Sequence, residues 1–328
     1  MSMPLSVLPK TSATADESTR EFASDVRADL SKPQKELHSR YLYDELGSAL
    51  IEAITHLPEY GVTRADERLL RKHARDISEL ITEPATVIEL GSGTGRKTRY
   101  VLNALKRADR VPRYFPIDVS REALGRCLRE LADIADVRPL EYSYVDGLAR
   151  AAAHRRAHER LLVLFLGSTI GNFERMRAIE FLCDLREWLL PGDTLLIGAD
   201  LVKDPDRMLL AYDDPTGVTA AFNLNLLGRM NRELGADFDL RTFEHEARWN
   251  ETERRIEMHL RSRVDQTVFI TEADLRVRFR GGETIWTESS HKFHRDEMFE
   301  MADQTGFCVQ AQWVDLEWPF VESLWMVP

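Results

Sequence analysis

Cysteine is scarce. Three thiols, Cys127, Cys183 and Cys308, are scattered through 328 residues, each in an apolar stretch. An odd, dispersed set excludes a disulfide framework and leads us to expect reduced thiols in a cytoplasmic protein. Long apolar runs are missing too: none approaches the ~20 residues of a membrane helix. The N-terminal MSMPLSVLPKTSATADESTREF lacks the basic start and apolar core of a signal peptide. Nor is there a basic excess. Lys and Arg number 44 against 55 Asp and Glu, a net charge of −11, and a phosphate backbone asks for the opposite sign, so nucleic-acid binding is not expected. Charges of both signs interleave, as in ARDISELITE, which describes a solvated surface. The histidines His56, His154, His158, His245, His259, His291 and His294 show no zinc-ligand spacing with cysteine or acid. His154 and His158 stand in the basic AHRRAHER, which reads as a surface helix, so no metal is expected. Repeats and low-complexity tracts are absent.

What is present is a soluble composition, 43% hydrophobic and 30% charged, in a chain long enough for two domains. One stretch organises it: TVIELGSGTGRKTR, residues 86–99. Thr86 to Leu90 is a short β-branched run that reads as a buried parallel strand. Gly91, Gly93 and Gly95 alternate directly after it, and Thr98 to Lys106 has a helical apolar face through Val101, Leu102 and Leu105. Glycines permit a sharp turn and close approach of a ligand, and the helix start offers free N–H groups. A dinucleotide fingerprint would need Gly or Ala at position 96, which is Arg. G-x-G-x-G behind the acid Glu89 is instead the pattern of S-adenosylmethionine (SAM) enzymes; an ordinary tight turn is the bland alternative.

Taken in order, residues 1–15 are polar and expected to be disordered. Helices are predicted over 19–30, 49–57 and 64–80. Tyr114 to Asp118 reads as a second strand ending in an acid, placed to bind a ribose diol or to cap the helix that follows. Tyr142 to Val145 reads as a third strand running into Asp146 and Gly147. Leu161 to Leu166, nearly all apolar, is the fourth, and Thr194 to Leu201 the fifth, with a helix over 181–190 between them. Strands alternating with helices predict an α/β fold: a doubly wound, Rossmann-like parallel sheet with its ligand at the carboxyl ends of the strands. Beyond Lys203 the pattern changes. Two helices, 206–212 and 216–234, precede a set of alternating, antiparallel-type strands between 243 and 293. A helix over 295–305 and strands over 308–314 and 324–327 close the chain. The simplest assembly puts 66–202 with 293–328 in a cofactor domain, and 16–65 with 203–292 in a second, α+β substrate domain.

At this point the motifs resemble a family, the ergothioneine-pathway L-histidine Nα-methyltransferases, from about residue 20 onward. The stretches that carry it are YDELGSALIEAITHLPEY (43–60), ELGSGTGRKTR (89–99), FLGSTIGN (165–172), DLVKD (200–204), AYDDPTGVTAAFNLNLL (211–227), NRELGADFDL (231–240), RIEMHLR (255–261) and TESSHKF (287–293). The resemblance implies SAM-dependent trimethylation of the α-amine of L-histidine to hercynine, the betaine precursor of ergothioneine, through mono- and dimethyl forms. It implies a SAM site at Gly91, Ser92, Gly93, Lys97, Asp118 and Asp146. It implies a histidine site at Tyr43, Tyr60, Asn172, Tyr212, Met258, Glu288 and Ser290, with Asn172, Tyr43 and Tyr212 nearest the chemistry. The chain departs from the family at Gly61, Gly147 and Ile51, each aromatic in relatives. We expect a monomer with small-molecule partners only.

The residue types suit that chemistry. Methyl transfer from a sulfonium releases a neutral leaving group, so a neutral amine held in line suffices. The final product is a fixed cation, and phenols offer it electron-rich faces. Taken singly, Tyr43, Tyr60 and Tyr212 read equally as core residues with wet tips, Met258 as core packing, and Asn172 as a turn residue. Glu288 and Ser290 stand two apart on a strand and so share a face. A carboxylate and a hydroxyl can serve the two nitrogens of an imidazole, whereas an indole or phenol would leave one of them unpaired. The rivals are a methyltransferase of the same architecture for another amine, such as tryptophan, and a SAM-binding subunit without catalysis.

Overall fold

The computed structural model describes residues 15–81, 83, 85–107 and 112–328. The expected disorder of residues 1–15 falls outside these, apart from Ala15, which opens the helix Ala15–Leu30.

One eight-stranded sheet contains the strands that the apolar runs predict, together with two short ones that they do not, Asp136–Val137 and Leu140–Glu141. Side by side lie Cys308–Asp315, Phe320–Met326, Thr194–Asp200, Arg160–Phe165, Ala85–Leu90, Arg113–Asp118 and Asp136–Val137, with Leu140–Glu141 beside the end of Arg113–Asp118. Pairing is parallel from Thr194–Asp200 onward and antiparallel for the two C-terminal strands. The strands are apolar on both faces because helices cover both. Leu161, Val163 and Phe165 point into one core with Leu182 and Trp325, while Leu162 and Leu164 point into another with Leu70 and Leu102. From Ala85–Leu90 the chain order runs outward in both directions, toward Arg113–Asp118 on one side and Arg160–Phe165 on the other. A crevice opens at the carboxyl ends of such a switch point.

A second, four-stranded sheet has the order Lys35–Glu36, Thr284–His291, Arg255–Ser262, Phe243–Asn250. The helices Glu45–Ile54 and Val218–Leu234 pack in the same core, where Phe22, Leu42 and Ile54 meet Phe222, Met230, Met258 and Ile285. The two sheets are laced together at the end of Thr284–His291: Phe293 N donates to Asp200 O (3.0 Å) and Val202 N to Phe293 O (3.0 Å). A bulge between Trp286 and Glu288 re-aims the strand just before its polar residues.

The third strand is a correction. Tyr142 to Val145 do not form one: the strand is Leu140–Glu141, and Tyr144–Ala152 is a helix. Ser143 caps it, its Oγ accepting from Asp146 N (3.4 Å) and donating to Asp146 Oδ2 (2.7 Å). The helix placed over 181–190 spans Arg175–Arg186, and the last strand begins at Phe320. Among the described residues, no helix is long and apolar enough to cross a membrane.

Candidate active site

The glycine loop carries the first half of the site. Gly91 and Gly93 have φ of +71° and +51°, a region that costs any other residue roughly 1–2 kcal/mol. A Cβ on Gly91 would also come within 3.2 Å of Tyr144 Oη. Asp118 braces the loop: its carboxylate accepts from Gly93 N (3.1 Å) and Ser120 N (2.9 Å). Thus Asp118 holds the turn and remains at the rim, and burial lifts its carboxyl above its ordinary value against those N–H groups. Beneath the loop Glu89 is fully enclosed. Burial pushes it up to about 7, although Thr98 Oγ1 (2.6 Å) and Tyr114 Oη donate to it. Lys97 pairs with the buried Asp66 beside Gly167. Burial lowers the ammonium, but Asp66 more than offsets it and holds it above its usual range.

The second half comes from the other sheet. Gly167 and Ser168 both take left-handed φ, +74° and +66°, a sharp turn that brings the single turn Thr169–Asn172 against the strand Thr284–His291. There Tyr43 Oη donates to Glu288 Oε1 (3.2 Å) and Asn172 Nδ2 reaches the same oxygen at 3.5 Å. Burial pushes Glu288 up to about 7, opposed by the Tyr43 hydrogen bond and the Lys292 charge. Tyr212 Oη lies 2.7 Å from Ser290 Oγ, and its ring meets Tyr60 edge to face at 6.1 Å. Enclosure keeps Tyr43 and Tyr60 protonated, far above the ordinary phenol value.

Both halves open into one cavity of about 860 Å³. Gly91, Ser92, Gly93, Lys97 and Asp118 line one part, and Tyr43, Tyr60, Asn172, Tyr212, Met258, Glu288 and Ser290 the other. Asp146 does not line it: it sits exposed on the first turn of a helix, its carboxylate turned to Ser143. The part of the wall expected from Asp146 is made two and three residues earlier, by Tyr144 and Ser143. Tyr144 packs edge to face on Phe165, and burial pushes its phenol up to about 12. Gly147 is buried where a Cβ would meet Ile117 at 2.5 Å. Gly61 makes room for Trp318, whose ring would lie 2.2 Å from a Cβ there, while Ile51 lines the cavity. Sequence reasoning missed Tyr144 and the buried Lys292–Asp200 pair; the Ser143-x-x-Asp146 capping pattern could have revealed the first.

A doubly wound sheet ended by an antiparallel pair, with a glycine loop and a strand-end acid facing one cavity, defines a class: the SAM-dependent methyltransferases. The room left by Gly91 and the rim carboxylate of Asp118 fit a nucleoside with an amino-acid tail. A family model described as histidine-specific, SAM-dependent methyltransferase matches residues 22–327, and the chain belongs to that family. Histidine N-alpha-methyltransferase of Mycolicibacterium smegmatis is 42% identical over 311 residues, 94% of this chain and 96% of its own. The protein of that name from Mycobacterium tuberculosis is 43% identical over 304 residues, 92% and 93% of the two chains. L-tryptophan methyltransferase of Psilocybe serbica is 28% identical over 329 residues, 91% and 90%. The protein is thus a SAM-dependent N-methyltransferase of the histidine-specific family.

Proposed function

We propose that the enzyme methylates the α-amine of L-histidine three times, giving hercynine, the first step of ergothioneine biosynthesis. The observation that carries this is the single cavity joining Gly91 and Asp118 to the Glu288–Ser290 pair. Residues 66–202 with 293–328 then serve as the SAM domain and 16–65 with 203–292 as the substrate domain. When bound, SAM supplies an electrophilic methyl group; Gly91, Ser92, Gly93, Lys97 and Asp118 would hold it.

The chain's own residues do the positioning. Glu288 accepts an imidazole N–H and Ser290 serves the other ring nitrogen, so the ring is fixed at both ends. Asn172 orients the amino-acid head group near the glycine loop, and Tyr212 Oη, 2.7 Å from Ser290 Oγ, holds the serine hydroxyl toward the ring. Tyr43 and Tyr60, kept neutral by burial, offer hydroxyls while the amine still has protons and ring faces once it is a fixed cation. Nothing in this scheme requires a residue to protonate the leaving group. The family relationship to a tryptophan methyltransferase makes substrate choice the point to test. Calorimetric titration with the free amino acids should show histidine bound in preference to tryptophan; the reverse order rejects the assignment. The reading further places the enzyme in the cytoplasm as a monomer acting on small molecules.

A further inference from the structure

Lys292 is fully buried, does not line the cavity, and has two hydrogen-bond acceptors and one counter-ion around its ammonium. Its Nζ donates to Tyr212 Oη (2.9 Å) and Ser290 Oγ (2.9 Å), and it is ion-paired with Asp200 Oδ2 (3.0 Å). Asp200 is itself fixed from the far side by Lys203 Nζ (2.6 Å) and Trp318 Nε1 (2.9 Å), both on Oδ1. Burial would lift the Asp200 carboxyl, but Lys292 and Lys203 hold it below its ordinary value. The ammonium is therefore anchored, and its other two contacts are set by geometry.

Those contacts decide the direction of two hydroxyl protons. Tyr212 Oη and Ser290 Oγ each accept from Lys292 and stand 2.7 Å apart, so one of them donates to the other. One hydroxyl proton is left over. Its oxygen has both acceptor positions filled, by Lys292 and by the other hydroxyl, so it can act toward the cavity only as a donor. Without Lys292 the same pair could turn either way and accept as easily as donate.

We propose that Lys292 is a positioning residue for substrate choice. By filling the acceptor side of Tyr212 and Ser290 it turns their spare hydroxyl proton toward a ring nitrogen lone pair. Glu288 takes an N–H, so the pocket selects a ring with one N–H and one bare nitrogen, a neutral imidazole. This rests on the amino-acid reading of the pocket given above.

Two analogues separate the two demands. Pyrrolylalanine keeps a ring N–H and lacks the bare nitrogen; thiazolylalanine keeps the bare nitrogen and lacks the N–H. With the unaltered enzyme, pyrrolylalanine should fall about tenfold below histidine in kcat/KM, the worth of one hydrogen bond. In Lys292→Met, histidine should lose about tenfold while pyrrolylalanine loses less than about twofold, so their ratio collapses toward one. The ratio of histidine to thiazolylalanine, read by Glu288, should not move. An equal loss on all three substrates would mean that Lys292 merely supports the fold and overturns the proposal. If the variant does not fold, the unaltered enzyme decides: equal use of pyrrolylalanine and histidine also overturns it. Failure of the unaltered enzyme to methylate histidine at all would instead remove the assigned function, a result read in the same assay.

Discussion

Glu288→Gln keeps the shape of the side chain and removes its charge. In the folded protein the carboxylate oxygen Oε1 receives Tyr43 Oη at 3.2 Å and Asn172 Nδ2 at 3.5 Å, which leaves Oε2 for a ring N–H. A hydrogen bond to a charged acceptor contributes about 1.5–3 kcal/mol and a neutral one about 1, so histidine affinity should fall roughly 3- to 30-fold. SAM, held by the glycine loop, should bind within about twofold of normal, since sites that share no hydrogen-bond partner act nearly independently. Calorimetric titration of each ligand at pH 8 measures both. Equal weakening of SAM and histidine would refute the assignment of Glu288 to the ring. The same substitution makes a second, opposite prediction for stability. Burial lifts the Glu288 carboxyl from 4.5 to about 7. The folded protein thus keeps a proton that the unfolded chain has lost, so this stabilising contribution is full below pH 4.5 and is lost as pH rises through 7. Glu288→Gln should therefore melt above the unaltered enzyme at pH 8, and by a smaller margin at pH 5.

Asp118→Asn removes a rim charge and disturbs the Gly93 turn. It should weaken SAM binding by about tenfold, the worth of one hydrogen bond, with histidine affinity little changed in titrations of the separate ligands. Gly91→Ala places a methyl within 3.2 Å of Tyr144 Oη at φ +71°, so SAM titration and melting should both show a loss, on the order of 1–3 kcal/mol in stability. Asp146→Ala, by contrast, should leave SAM affinity within about twofold, because the residue faces Ser143 and its loss costs only helix capping. Histidine binding by the unaltered enzyme should strengthen between pH 6 and 8, as Glu288 ionises through about 7; a flat affinity across that range would contradict its role as acceptor.

Much of the architecture could be read from the chain because buried parallel strands are bounded apolar runs. Leu161 to Leu166 and Thr194 to Leu201 are unmistakable in this way, and the glycine alternation fixes the switch point. Tyr142 to Val145 misled because two aromatic-type positions and a valine imitate a strand, while the cap at Ser143 starts a helix. Lys35–Glu36, two charged residues with no alternation to read, pairs with Ile285 and Trp286 at the sheet edge. In the site, Glu288 and Ser290 could be placed together from their spacing. Lys292 could not, since a lysine two residues on in TESSHKF looks like a solvated charge. Only the fold brings Asp200, at the end of another sheet's strand, within 3.0 Å of it.

The substrate and the methylated atom are both read by mass spectrometry of L-histidine incubated with SAM and catalytic amounts of the protein. The expected product carries three methyl groups, all on the α-nitrogen, with tryptophan left unmodified under the same conditions. Unchanged histidine, or a methylated imidazole nitrogen, would contradict the assignment.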